Sequence, residues 1–222
     1  MGTCGVPYGD ATVSGAGRFC WVMDHDDRLA ADLARDLDAT FERLVIAHQD
    51  RLYTIALRML GDPRDAEEAA QDAFVRAYRA MAGYDAGRIR DLRLRGWLAT
   101  IVLNLCRSRV GRRAARGQAP LSLDAPGPTG DPMDVATPAA GPGTVAERHA
   151  ERDRWSIRLA TLPPAQRAAV VLRHIDGLTY PEVAAALGRP EGTVKAQVHR
   201  GLAALRTTLA TEAHREPEEM TA

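Results

Sequence analysis

Lysine is almost missing from this 222-residue chain: Lys195 is the only one, and the remaining fixed positive charge is arginine. Cysteine is nearly as scarce. Cys4, Cys20 and Cys106 are odd in number and fall in no C-x-x-C or Cys/His ligand spacing, which argues against a disulfide framework or a zinc site and for free or buried thiols. No apolar run approaches the roughly 20 residues that span a bilayer, and the N-terminus lacks the basic-then-apolar pattern of a secretory signal. The expectation is a cytoplasmic protein without membrane insertion. His25, His48, His149, His174, His199 and His214 form no H-x-x-x-H pair, and neither a G-x-S-x-G elbow nor a P-loop is present. No catalytic residue, metal or cofactor is therefore expected.

Net charge is also absent, at +0, which would count against nucleic acid if the charges were evenly spread. They are not. From Arg88 to Arg116 nine arginines (Arg88, Arg90, Arg93, Arg95, Arg107, Arg109, Arg112, Arg113, Arg116) face one acid, Asp91. The stretch from Asp62 to Asp72 is acidic, with Asp62, Asp65, Glu67, Glu68 and Asp72 against Arg64, and so is the tail with Glu212, Glu216, Glu218 and Glu219. Neutrality is the sum of opposed patches.

Apolar periodicity predicts an all-α protein of two small domains. Residues 1–38 form an N-terminal extension, partly disordered, because Met1 to about Trp21 is rich in small residues and has no period. The first domain, 39–115, starts with a helix from about Ala39 to Leu60, in which Phe41, Leu44, Val45, His48, Leu52, Ile55, Ala56 and Met59 keep the 3.6-residue period. Gly61 ends it, Asp62 caps the next helix with Pro63 in its first turn, and Ala66, Ala69, Ala70, Ala73, Phe74, Ala77, Tyr78 and Met81 make its inner face. After a loop from Gly83 to about Arg93, a third helix turns Leu94, Trp97, Leu98, Ile101, Val102 and Leu105 inward and runs on into the arginines. Residues 116–145, with Pro120, Pro126, Pro128, Pro132, Pro138 and Pro142 among Gly and Ala, read as a flexible linker.

The second domain, 146–210, opens with a helix to Leu162 that Pro163-Pro164 breaks, followed by one from Ala165 to Ile175 that Gly177 stops. Residues 211–222 are an acidic tail. Between them lies "LTYPEVAAALGRPEGTVKAQVHRGLAALR". Thr179 and Glu182 have the spacing of a reciprocal capping box, so Tyr180 to Leu187 is one short helix ended by Gly188. Pro190 disfavours helical geometry at Arg189, and a second helix starts near Gly192 or Thr193. Its Val194, Val198, Leu202 and Leu205 lie on one side, so Lys195, Ala196, His199, Arg200 and Ala203 point away. Such a pair is either a helix-turn-helix, with Lys195 and Arg200 able to reach base edges or phosphates, or a plain αα-corner.

Together with "FERLVIAHQDRLYTIALRMLGDPRDAEEAAQDAFVRAYRA", "RGWLATIVLNLCRSRVGRR" and "LATLPPAQRAAVVLRHIDGLTYPEVAAALGRPEGTVKAQVHRGLAALR", the chain resembles regions 2 and 4 of bacterial extracytoplasmic-function sigma factors, from about Thr40 to Leu209. The resemblance implies a subunit that binds core RNA polymerase and directs initiation at promoter DNA by recognising −35 and −10 elements and assisting melting. It implies core-polymerase docking at Glu68, Gln71 and Asp72. It also implies −10 contacts from Tyr84, Arg88, Arg90, Asn104, Arg107 and Arg109, and −35 contacts from Thr193, Lys195, Ala196, His199 and Arg200. An anti-sigma factor is the further partner it implies. Family members commonly carry Ser, Arg and Arg where this chain has Ala196, Gln197 and Leu202, so fewer cations and a different base preference are expected. The rival, an autonomous regulator with a sensing first domain, leaves the arginine density of the third helix unexplained.

Overall fold

The computed structural model describes the backbone of residues 16–115 and 154–219, and the side chains of 25–113, 115 and 154–212. The expected linker, 116–145, lies outside these residues. Every described regular element is helical. In order they are α1 (Ala16–Arg35), α2 (Leu37–Leu60), α3 (Pro63–Ala82), α4 (Ala86–Arg90), α5 (Leu94–Ala115), α6 (154–160), α7 (Pro164–Val170), a π-helical turn (Val171–Ile175), α8 (Tyr180–Leu187) and α9 (Glu191–Glu219).

The ends of these helices follow from cap chemistry. Asp36 accepts from the Ala39 amide and starts α2, and Gly61, at φ 76°, ends it with its own N–H on the Leu57 carbonyl. Only a residue without a Cβ takes that left-handed geometry without strain. Asp62 then accepts from the Asp65 amide, with Pro63 at the first helical position of α3. Leu44, Leu52 and Ile55 of α2 are almost wholly buried against Ala66, Ala69, Ala73 and Ala77 of α3 and Leu98, Val102 and Leu103 of α5. Alanine on the inner face of α3 lets the helix axes approach closely, and each large aliphatic buried between them contributes about 1.5–3 kcal/mol.

Several expectations are corrected. From Ala16 on, the extension is not separate from the first domain: α1 begins there, buries Leu29, Ala30 and Leu33, and packs on α2, α4 and α5, while residues 1–15 lie outside the described residues. Its Asp26 lies 3.4 Å from the buried His48. The loop after α3 contains α4, because Asp85 accepts from the Arg88 amide as an N-cap. Tyr78 is not core. It stays 38% exposed, its ring edge-on to Phe41 and its hydroxyl donating to Asp38 at 2.6 Å. That hydrogen bond, to a carboxylate, raises the Tyr78 pKa. Ile175 is exposed as well, because the helix begun at Pro164 widens to π geometry from Val171 and takes its last residue off the apolar stripe. The acidic tail is a continuation of α9 as far as Glu219, and its Glu212 pairs with Arg158 at 2.7 Å.

The second unit is built on α7, α8 and α9. Thr179 and Glu182 form the capping box of α8, and Gly188 closes it at φ 61°. Val183, Leu187, Val194, Val198 and Leu205 are buried with Leu172 and Leu178. Gly201 of α9 lies close against α7, where a Cβ would stand 2.7 Å from Val170 Cγ2. Glycine there lets α9 lie directly on α7.

Candidate nucleic-acid interface

The buried side of α9 determines its free side. With Val194 and Val198 inward, Lys195, Ala196, His199 and Arg200 are exposed and Thr193 is half-buried, so all five predicted −35 residues share the first turns of one helix. Gln197 is buried and Leu202 half-buried, so those two departures from the family's residues do not lie on the open face. Lys195 is tethered: its ammonium is 2.7 Å from Glu191 and 5.5 Å from the centre of the Tyr180 ring. The hydrogen bond to Glu191 raises its pKa, so the charge is held at neutral pH. Among the described contacts Arg200 is bonded locally, through Nε to the Ala196 carbonyl at 3.2 Å, and it is exposed. It has the reach and the planar fork to address a guanine edge.

On the first unit, α4 and the start of α5 gather a second cationic surface. Tyr84 lies against Trp97 with ring centres 6.3 Å apart, and the Arg88 guanidinium covers the Tyr84 ring at 3.8 Å. Trp97, expected in the core, is half-buried and supports Tyr84 from behind. Arg90 is exposed beside them. Asn104 and Arg107, bonded to each other at 3.3 Å, are exposed on α5. An aromatic ring, guanidinium groups and an amide are the residue types that can hold an unpaired base and its backbone.

Arg109 departs from that group. Its side chain is only 14% exposed and turns to α3, where it meets Glu68 at 3.0 Å, Asp72 at 2.8 Å and Asp65 at 3.9 Å. Burial alone would lower its pKa, and the hydrogen bonds to Glu68 and Asp72 outweigh that and raise it. Arg113 is also paired with Asp65. The predicted core-docking residues Glu68 and Asp72 are thus joined to a predicted DNA contact, while both carboxylates keep 55% side-chain exposure. Gln71, on the same face, bonds Glu67 at 3.2 Å. One turn further, Phe74, Val75 and Tyr78 line a shallow apolar groove with Phe41.

The contact between the two units was not legible in the sequence. Arg51 of α2 donates twice to the Asp176 carboxylate, once through Nη2 at 2.7 Å, and once more to the Arg95 carbonyl at 2.8 Å. Arg95 donates to the Asp176 carbonyl at 2.6 Å. Arg58 reaches Ser156 at 3.0 Å, and Arg167 reaches the Met59 carbonyl, at the open end of α2, at 2.9 Å. Burial lowers the pKa of Arg167. No spacing rule links Arg51 to Asp176 across 125 positions.

Residues 44–116 match sigma-70 region 2, and residues 158–205 match sigma-70 region 4. The chain is 36% identical over 169 residues to the RNA polymerase sigma-E factor of Streptomyces coelicolor, an alignment that covers 76% of this chain and 85% of that one. The chain belongs to the extracytoplasmic-function sigma factors. As a member of that family it directs promoter-specific transcription initiation by RNA polymerase, and the two cationic surfaces lie in its region 2 and region 4 units. It is also 36% identical over 173 residues to the ECF RNA polymerase sigma factor SigE of Mycolicibacterium smegmatis, of whose length it spans 62%. Among solved structures, CnrH in complex with the cytosolic domain of CnrY has a TM-score of 0.60 at 28% identity, covering 84% of this chain and 97% of that one.

Proposed function

We propose that this sigma factor docks on core polymerase through Glu68, Gln71 and Asp72 of α3, melts and holds the −10 element with Tyr84, Arg88, Arg90, Asn104 and Arg107, and reads the −35 element with Thr193, Lys195, Ala196, His199 and Arg200. Arg109, assigned to the −10 set from the sequence, acts instead as a positioning residue that fixes Glu68 and Asp72 relative to α5. The working units are residues up to 115 and from 146 to 210, joined by the intervening linker. The protein supplies recognition and leaves the chemistry to the polymerase, and it works in the cytoplasm. An anti-sigma factor is a natural partner, since the sigma factor RpoE was solved in complex with the anti-sigma factor NepR from Bartonella quintana.

The observation that carries this reading is the exposed face of α9, where Lys195, His199 and Arg200 project from a helix whose opposite face is locked into the region 4 core. Reconstitution with core polymerase on a library of randomised promoters tests it. The holoenzyme is expected to select two spaced elements and form open complexes, while the free protein binds duplex promoter weakly. Tight sequence-specific binding by the free protein, unchanged by core enzyme, would replace this reading with an autonomous regulator.

A further inference from the structure

Asp176 is the most completely enclosed carboxylate at the seam, with 1% of its side chain exposed. It is placed there by the π-helical turn: its amide bonds the Val171 carbonyl at 2.9 Å, and Gly177 at φ 77° reverses the chain immediately after it. The carboxylate and carbonyl of Asp176 fill a pocket that belongs to region 2, made by Arg51 and by Arg95 in the first turn of α5. One feature of that pocket exceeds what a carboxylate needs: Nη1 of Arg51 is buried there with no acceptor. Arginine forks accept phosphate as readily as carboxylate, and a phosphodiester brings acceptor oxygens of its own.

The closed arrangement cannot persist on a promoter. Elements named for positions −35 and −10 lie about 25 base pairs apart, or about 85 Å along the duplex at 3.4 Å per step. Here α8 packs directly on α5. The path from α4 through α5 and α8 to the start of α9 is then at most about 65 Å by helix rise and interaxial distance. Simultaneous contact with both elements separates the units and uncovers Arg51 and Arg95, beside the cationic surface of Arg88 and Arg90.

We propose that Arg51 and Arg95 form a backbone-phosphate site for the promoter strand, occupied in the closed chain by Asp176 as an internal substitute. Opening of the seam and capture of DNA are then one exchange of anions. The identity of the polyanion rests on the sigma-factor reading above, but the site itself can be tested without polymerase.

The test breaks the same seam from its two sides. Asp176→Asn removes the substitute and leaves the pocket, whereas Arg51→Gln combined with Arg95→Gln removes the pocket. Small-angle scattering checks that both variants open, and circular dichroism checks that both keep their helicity. Each is titrated against a fluorescent single strand of mixed sequence at several salt concentrations. Asp176→Asn is expected to bind about five- to tenfold more tightly than the native chain at low salt, with a salt slope steeper by about one to two units. The arginine variant, equally open, binds no more tightly than the native chain. Equal affinity of the two opened variants, or no gain in Asp176→Asn, overturns the proposal. Should Asp176→Asn lose helicity, Asp176→Ser takes its place with the same expected gain. Because polymerase is absent throughout, failure here leaves the sigma-factor reading standing, and the promoter-library experiment tests that reading separately.

Discussion

The two helices proposed to contact DNA differ in how much of their charge is available. Helix α5 and the turn before it hold most of the arginine-rich stretch, yet many of those arginines are already engaged. Arg88 covers Tyr84, Arg95 holds Asp176, and Arg109 and Arg113 serve the carboxylates of α3. Helix α9 is longer and has one fixed cation fewer than α5, and Arg200 has no acid partner among the described contacts while Lys195 has the surface pair with Glu191. A dense basic sequence can therefore present less charge than a sparse one. What counts is whether carboxylates lie within reach in the folded state, since an arginine committed to two of them gives up its fork to no other anion. The cations of α9 near its start are open, whereas some of those on α5 are already paired.

The contrast depends first on how rigidly α9 is mounted. Gly201→Val places new atoms where Val170 already stands 2.7 Å from the Cβ position. Overpacking of this kind costs about 2–3 kcal/mol, so urea denaturation should show the region 4 unit unfolding early while the α2–α5 unit keeps its midpoint. A cost near zero would mean that α9 floats on α7. Second in size is Arg200→Ala, expected to remove about 2 kcal/mol and to relax preference at one −35 position. Selection of −35 elements by the mutant holoenzyme measures it, and an unchanged sequence logo would reduce α8–α9 to a structural corner.

Third is the paired change Glu68→Gln and Asp72→Asn, which should weaken core affinity about tenfold, or about 1.4 kcal/mol, with −35 selection untouched. Quantitative pull-down or fluorescence titration with core enzyme gives the number. Unchanged affinity would leave these carboxylates as partners of Arg109 alone. The smallest effect is expected from Lys195→Ala. Its exposed pair with Glu191 contributes little to folding, so melting should be unaltered, and promoter binding should weaken alike for all sequences with a salt slope lower by about one unit.

A silent thiol marks the other limit. Burial pushes the Cys106 thiol up to about 12, so at neutral pH almost none of it is thiolate.

Most of the helices, several of their caps and the inner and outer sides of α9 were legible because each depends on neighbours within one or two turns, whereas α1 was not. Gly61, Gly177 and Gly188 mark reversals, Thr179 and Glu182 close on each other, and Val194 with Val198 determine where Lys195 and Arg200 point. The same local rules misjudged Tyr78, Ile175 and the loop that contains α4, where a groove edge, a π turn and an aspartate cap shifted the pattern. What only the tertiary structure decided is which charge meets which: that Arg109 turns to Glu68 and Asp72, that Gly201 is needed against Val170, and that Arg51 and Arg95 close on Asp176. Hydrophobic periodicity is written into the chain at the spacing of the helix, but a guanidinium on a long side chain can satisfy any acid brought near it. The choice among acids is made by the packing of helices distant in sequence.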